Sequence, residues 1–253
     1  MTFIFTGTAS GIPVADRRHA SLVLAHAGAL ILFDAGEGVS AALIEQDLDA
    51  ARITDIFLSH THSDHVTGLP MLLQGMHLAG RTAPLDIHIP PRRREWFRRW
   101  FEGLYILEQK WSFPFSFRLL EKRVAVSGGP EIIPFRNSHL ESVRDLAERH
   151  AVPAEAFSFR IGSSAGDVVL SSDIAALDDV ADAAGRADLL IVDATHVPLG
   201  EIGALAERHP GLQVVCTHIP PEMDSASTVF QRSDGRVLAA YDGFRYDLRQ
   251  KRS

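Results

Sequence analysis

The six residues His60-Thr-His-Ser-Asp-His65 constrain this chain more than any other stretch. They follow Ile56, Phe57 and Leu58, a short bulky run that reads as a buried strand. They precede Val66, Leu69, Met71, Leu72, Leu73 and Met76, which read as a helix packed on that sheet. The motif therefore falls on a strand-to-helix turn, where open α/β sheets place their ligands. Three imidazoles and a carboxylate so close together are costly to bury unless something binds them. Neutral imidazole and carboxylate form a donor set for zinc and similar borderline cations. The bland alternative is a His-rich surface loop, and the flanking strand and helix argue against it.

At 253 residues with 46% hydrophobic content, the chain has enough apolar material for one large α/β domain spanning 1–253. No apolar run is long enough for a membrane span. The opening Met-Thr-Phe-Ile-Phe reads as a strand without a basic leader region, so no signal peptide is expected. Cys216 is the single cysteine, which excludes an internal disulfide and a cysteine-rich zinc site and points to a cytoplasmic location. A formal charge of -7 argues against a broad basic face, so extended nucleic-acid binding is not expected. No internal repeat or low-complexity segment interrupts the pattern.

In chain order, Thr2–Phe5 reads as a strand and Thr6-Gly-Thr-Ala-Ser-Gly-Ile-Pro13 as a Gly-rich loop that either cradles an anion or merely turns. Val39–Asp49 has helical periodicity, and Pro84–Pro90 reads as a strand. In residues 92–105, Trp96, Phe97, Trp100, Phe101, Leu104 and Tyr105 form the stripe of an amphipathic helix. Arg92, Arg93, Arg94, Arg98 and Arg99 fall largely on its other face. A packed helix with a solvated basic face is the plain reading. A rim or homodimer helix that draws anionic substrate inward is the sharper one. Phe115–Leu120 and Val124–Val126 look like strands of a second sheet, and Phe230–Leu248 like a helix end and a strand pair, with a frayed Lys251-Arg-Ser tail. Polar groups recur at strand ends: His139 after Glu131-Ile-Ile-Pro-Phe, Asp173 after Val168–Leu170, Asp193 and His196 after Asp188-Leu-Leu-Ile-Val, and His218 after Leu212-Gln-Val-Val. Asp173 also suits the cap of a helix over Ala175–Ala184.

His-x-His-x-Asp-His after a hydrophobic strand resembles the metallo-β-lactamase superfamily. Gly7-Thr-Ala-Ser-Gly-Ile-Pro13, Arg17, Ser21-Leu-Val-Leu and Leu32-Phe-Asp-Ala-Gly-Glu-Gly38 resemble the opening of its ribonuclease Z branch. The resemblance runs from residue 2 to about residue 225. It implies an αβ/βα four-layer sandwich of two mixed sheets flanked by helices. It implies two divalent metal ions, zinc foremost, with manganese or iron also accepted by such donors. By resemblance, His60, His62 and His139 serve the first metal, Asp64, His65 and His218 the second, and Asp173 bridges them. His150 rivals His139, though a helix end matches the pattern less well. Asp34 is read as a buried support for the metal loop or as a simple turn residue. Asp193 matches an acidic-Ala-Thr segment beside the site, which leaves His196 as the nearest candidate for protonating a leaving group.

Two departures from ribonuclease Z matter. Thirty-three residues separate His139 from Asp173, with no Gly/Pro-rich arm of the kind that grips tRNA. The His-Ser-Thr segment expected after the acidic-Ala-Thr motif is also absent. The expected activity is therefore a metal-dependent hydrolase, foremost a phosphodiesterase acting on a small or single-stranded phosphodiester, with Asp64, Asp193 and His196 as catalytic candidates. The alternatives are a lactone, thioester or carboxylic ester hydrolase, a tRNA 3′-processing endoribonuclease, and a non-catalytic metal-binding relative.

Overall fold

The computed structural model describes residues 1–126, 129–223 and 234–248. Period-two burial along the strands sorts the apolar residues onto two faces. Six strands come first: β1 (Thr2–Gly7), β2 (Ser21–His26), β3 (Ala29–Phe33), β4 (Ile53–Phe57), β5 (Leu85–Ile89) and β6 (Phe115–Leu119). Seven more follow: β7 (Val124–Ala125), β8 (Glu131–Arg136), β9 (Phe157–Ser163), β10 (Gly166–Leu170), β11 (Leu189–Asp193), β12 (Gln213–Thr217) and β13 (Val237–Ala239). The last, β14 (Arg245–Asp247), returns to the first group. One sheet runs β14-β1-β2-β3-β4-β5-β6 and the other β13-β12-β11-β10-β9-β8-β7. Both are mixed: β3 to β6 are parallel, as are β10 to β13, while the remaining neighbours are antiparallel.

Phe3, Phe5, Leu24, Ile31, Phe33 and Phe57 point from the first sheet onto Phe159, Ile161, Val168, Leu189, Ile191 and Val215 of the second. The alternate residues Ile4, Val23, Leu30, Leu32 and Ile56 face outward. Against them pack α1 (Val39–Glu45), α3 (Leu69–Leu78) and α4 (Arg94–Gly103), through Leu43, Leu72, Met76, Phe97 and Phe101. The outer face of the second sheet is covered by α6 (Asp178–Ala184) and α7 (Leu199–Arg208), through Val180, Ala184, Ile202 and Leu205. The result is an αβ/βα sandwich in four layers, as the resemblance implied. Two short helices, α2 (Ser63–Val66) and α5 (Arg144–Arg149), lie in loops. Among the described residues, no helix is long and apolar enough to cross a membrane.

Several local expectations need correction. Phe115–Leu119 pairs with β5 in the first sheet, because Phe115 and Phe117 pack onto Phe101 of α4. The C-terminal strands do not pair with each other: β13 joins β12 and β14 joins β1. Residues 230–233 and the Lys251 tail lie outside the described residues. The helix expected from Ala175 starts at Asp178 with Leu177 at its cap position, so Asp173 does not cap it. In the 92–105 stretch the basic residues are not wholly solvated, since Arg93, at the cap position before α4, is buried, while Leu104 and Tyr105 follow the helix in solvent rather than in the core.

Candidate metal centre

The C-terminal ends of β4, β8, β10, β11 and β12 converge, and each delivers one part of a polar cluster. Asp173 lies at its middle, 2% exposed. Its Oδ2 faces His60 Nε2 at 3.9 Å and His139 Nε2 at 3.7 Å. Its Oδ1 faces His65 Nε2 at 3.2 Å and His218 Nδ1 at 3.5 Å. His62 Nδ1 lies 3.2 Å from His139 Nε2. Asp64 Oδ2 lies 3.2 Å from His218 Nε2 and 3.6 Å from His65 Nε2.

Two groups of four result, each with donor atoms within 4.8 Å of one another: His60, His62, His139 and Asp173, then Asp64, His65, Asp173 and His218. A third overlapping group joins Asp173, Asp193, His196 and His218. His139 thus enters the cluster, while His150 caps the end of α5 on the exposed surface. Two donors about 2.1 Å from a shared cation in a tetrahedral shell lie about 3.4 Å apart, close to the spacings seen. His60 Nε2, His65 Nε2 and Asp173 Oδ1 are buried atoms without a hydrogen-bond partner. Orphaned polar atoms inside a protein are rare. Such atoms, one imidazole nitrogen in each group and one oxygen of the Asp173 the groups share, fit cations on the two sides of Asp173.

Asp34 makes the lone pairs face inward. It ends β3 with φ of 55°, and its buried carboxylate accepts from Ser59 N at 2.8 Å, Ser59 Oγ at 2.8 Å and His65 Nδ1 at 2.8 Å. In its neutral form His65 therefore keeps its proton on Nδ1 and turns a lone pair at Nε2 toward Asp173. Because the Ser59 hydroxyl donates to Asp34, Ser59 Oγ accepts from His60 Nδ1 at 3.0 Å, which fixes the same tautomer in His60. Asp34 is thus the buried support and not a simple turn residue. Ser172 and His218 also hold left-handed backbone, with φ of 48° and 53°, a sparsely populated conformation for residues other than glycine.

The two groups differ electrostatically. Burial, then the neighbouring His65, holds His60 well below the usual imidazole range, and burial brings His139 down to about 4. His62 is lowered for the same reason. In the second group burial also acts against imidazolium and is the largest single effect, but the carboxylates together outweigh it: Asp173 and Asp34 at His65, and Asp173, Asp193 and Asp64 at His218. His65 ends well above its usual value and His218 is pushed up to about 9. Burial disfavours the charge on Asp173, yet His65 and His218 hold its carboxyl well below the ordinary range. The hydrogen bond from His218 keeps Asp64 at about 2 despite burial.

His196 projects from the loop after β11, its side chain about one-third exposed and its Nδ1 2.7 Å from Asp193 Oδ2. Its ring stacks beside His218 at 5.7 Å and meets His139 edge-on at 4.8 Å. Asp193 is fully buried. It accepts from Ile174 N, Thr195 N and His196 N, and lies 3.2 Å from His218 Nδ1. An open depression of about 510 Å³ adjoins His196, lined mainly by Ala194, Val197, Pro198, Leu199, Pro220 and Met223. A second void of about 30 Å³ beneath His65 and Asp173 admits water but no substrate.

Four supporting residues escaped the sequence reading. Ser59 and Asn137 orient His60 and His139, the latter by accepting from the His139 amide at 3.1 Å. Ser171 Oγ accepts from Asp193 N at 2.9 Å. Asp179, read as an ordinary helix residue, accepts from both Ser138 N and Ser138 Oγ and so ties the His139 loop to α6. All four are common polar residues whose roles arise from long-range contacts, and no local pattern marks them.

The Beta-lactamase superfamily domain matches residues 30–219. A ribonuclease Z of Methanococcus aeolicus is 43% identical over 91 residues, which cover 36% of this chain and 28% of that relative. The chain thus matches well under two thirds of that relative's length. Human tRNase Z, short form, has a crystal structure that superposes with a TM-score of 0.74 at 22% identity, over 98% of this chain and 99% of that one. A diphosphatase from the PhnP family superposes at 0.73 with 18% identity, over 99% of both chains. At such identities these two likenesses speak for the fold alone. The domain match covers about three quarters of the chain, includes the whole convergence of strand ends from His60 to His218, and shows that this protein belongs to the beta-lactamase superfamily.

Proposed function

We propose that the protein is a binuclear metal-dependent phosphodiesterase, with His60, His62 and His139 holding one cation, Asp64, His65 and His218 the other, and Asp173 shared between them. The observation that carries this reading is the pair of donor groups meeting on Asp173, with unpartnered Nε2 atoms of His60 and His65 aimed inward. Two bound divalent cations would polarise a phosphoryl oxygen and make water acidic enough to attack near neutral pH.

The chain's own residues supply the rest. Asp64, held anionic by the hydrogen bond from His218, is an acceptor that orients its neighbours. Gly11 leaves one side of Asp64 Oδ2 clear, since a Cβ there would touch that oxygen at 3.4 Å. His196 gives Nδ1 to Asp193, so Nε2 is the atom that faces a leaving group. The Asp193 carboxylate raises its pKa, which keeps it protonated and ready to donate. The depression beyond His196, apolar and roomy, suits a base or aryl leaving group.

Ribonuclease Z relatives support a second reading, tRNA 3′-end processing. They also weigh against the expectation that the protein does not bind extended nucleic acid. Against that reading, the stretch between His139 and Asp173 holds only a single 3₁₀ turn, α5, β9 and β10, with no added arm. Zinc- or manganese-loaded protein should hydrolyse bis(p-nitrophenyl) phosphate and lose that activity in Asp173→Ala, with little cleavage of precursor tRNA. Lactone or thioester hydrolysis without phosphodiesterase activity would overturn the proposal.

A further inference from the structure

An arginine cluster beside the site is larger than its structural task requires. Glu155, 2% exposed, accepts from Arg92 N at 3.0 Å, Arg92 Nε at 3.1 Å and Arg136 Nη2 at 2.8 Å. The last two donors share one oxygen, Oε1, so the two guanidinium groups are held side by side. Arg93 stands beside them, buried, donating to Pro153 O at 3.1 Å and feeling both Glu155 and Arg92. Three cations therefore surround one buried anion.

One arginine would neutralise Glu155 and tie the β5–α4 loop to the second sheet. The surplus positive charge is set against a chain whose net charge is -7. Side chains of Arg92 and Arg136 are 63% and 57% exposed. Among the described residues, both Nη atoms of Arg92 and Nη1 of Arg136 have no protein partner, which leaves a fork of donors facing solvent. Arg136 is further fixed by lying over the Phe157 ring at 5.3 Å.

The cluster shares its backbone with the candidate metal centre. Arg136 precedes His139 by three residues, at most about 11 Å of chain. Ala156 O accepts from Asn137 N at 3.1 Å, and Phe157 N donates to Ser59 O at 3.1 Å, one residue before His60. A strand whose scissile phosphate lay between His60, His139 and His218 could reach the arginines with a neighbouring phosphate.

We propose that Arg92 and Arg136, braced by Glu155, form a subsite for a non-scissile phosphate of a single-stranded oligonucleotide, so that the enzyme acts on short oligonucleotides in preference to isolated diesters. This rests on the phosphodiesterase reading for its kinetic part only. The tests use metal-loaded full-length protein. One measures fluorescence anisotropy with a short, labelled, fully phosphorothioate single strand. The other measures hydrolysis of an aryl nucleotide diester with and without an additional terminal phosphate.

Arg92→Gln and Arg136→Gln should each weaken strand binding roughly tenfold, as expected for losing a charge-assisted contact. Each should lower the salt slope by about 0.7, the single-strand value for one phosphate contact. KM for the doubly phosphorylated substrate should rise to match, kcat should hold, and the simple diester should be unaffected. Arg136→Lys should recover part of the loss, and Arg245→Gln, on β14 at the opposite edge of the first sheet from β5, should change nothing. Equal losses on both substrates, or strand affinity unchanged in the Gln variants, would overturn the subsite. If wild-type protein hydrolyses neither diester, the phosphodiesterase reading fails, while anisotropy still decides the subsite.

Discussion

Asp34→Asn isolates the role of one buried carboxylate in setting both halves of the site. The replacement keeps the shape and tolerates the left-handed φ of 55°. It also keeps an acceptor for the Ser59 amide, 2.8 Å away. What changes is the group facing His65 Nδ1, where an N–H₂ replaces an oxygen that now accepts at 2.8 Å. Two donors cannot face each other, so His65 must move its proton to Nε2, the atom aimed at Asp173. Ser59 loses one of its two oxygen acceptors and holds His60 less firmly. Altering the partner of a metal-binding histidine typically costs about 10–100-fold in affinity, or about 1.4–2.7 kcal/mol. We expect that loss at the Asp64/His65/His218 group and a smaller one at the His60/His62/His139 group. Asp34→Ala strands three buried donors at roughly 1–3 kcal/mol each, and should lower Tm by many degrees as well. Chelator competition with metal analysis measures the two affinities, and the imidazole nitrogen shifts in NMR report the His65 tautomer. Ser59→Ala should weaken the His60 group while sparing the other. If Asp34→Asn retains both affinities with His65 unchanged, or Ser59→Ala empties the His65 group first, the tautomer argument is wrong.

Three other outcomes follow from the same geometry. In metal-free protein, His65 and His218 have raised pKa values, so their stabilisation is complete below pH 6.5 and is lost as pH rises through the folded values. With His218 at about 9, its share is about 3 kcal/mol. The lowered His60, His62 and His139 penalise acid instead, which places maximal apoprotein stability near pH 6.5, with zinc uptake at neutral pH releasing protons into an indicator dye; a flat Tm between pH 6.5 and 9.5 would contradict this. His196→Ala should slow an alkyl phosphodiester roughly 10²–10⁴-fold and a p-nitrophenyl diester far less, with metal content unchanged. Equal slowing of both would make His196 a positioning residue. Gly68→Ala places a Cβ 2.0 Å from Gly36 O, where the loop carrying the His60–His65 motif passes the β3 turn, and should cost about 1–3 kcal/mol and weaken metal retention, as seen by thermal melts and metal analysis.

Much of the fold was readable from local pattern. Strands such as Leu189–Asp193 and Gln213–Thr217 are buried on both faces, so they appear as continuous apolar runs bounded by polar residues. The four layers and the order of histidines and aspartates came from the resemblance carried by the His60–His65 motif and the polar strand ends. Sheet membership was not local: Phe115–Leu119 and Arg245–Asp247 have ordinary strand composition, and only aromatic packing on α4 and pairing with Thr2–Ile4 decide which sheet they join. The boundary of the helix before Ala184 was misplaced because Asp173 looks like a cap, when its carboxylate is turned to four histidines instead. Tautomer control through Asp34 and Ser59, the tether from Asp179 to Ser138, and the arginines around Glu155 join residues between 19 and 63 positions apart. A sequence fixes which residues reach a strand end, because burial and periodicity act over a few neighbours. Which lone pair faces which oxygen is decided only when distant strand ends are packed together, since a hydrogen bond depends on distance and angle in space and not on separation along the chain.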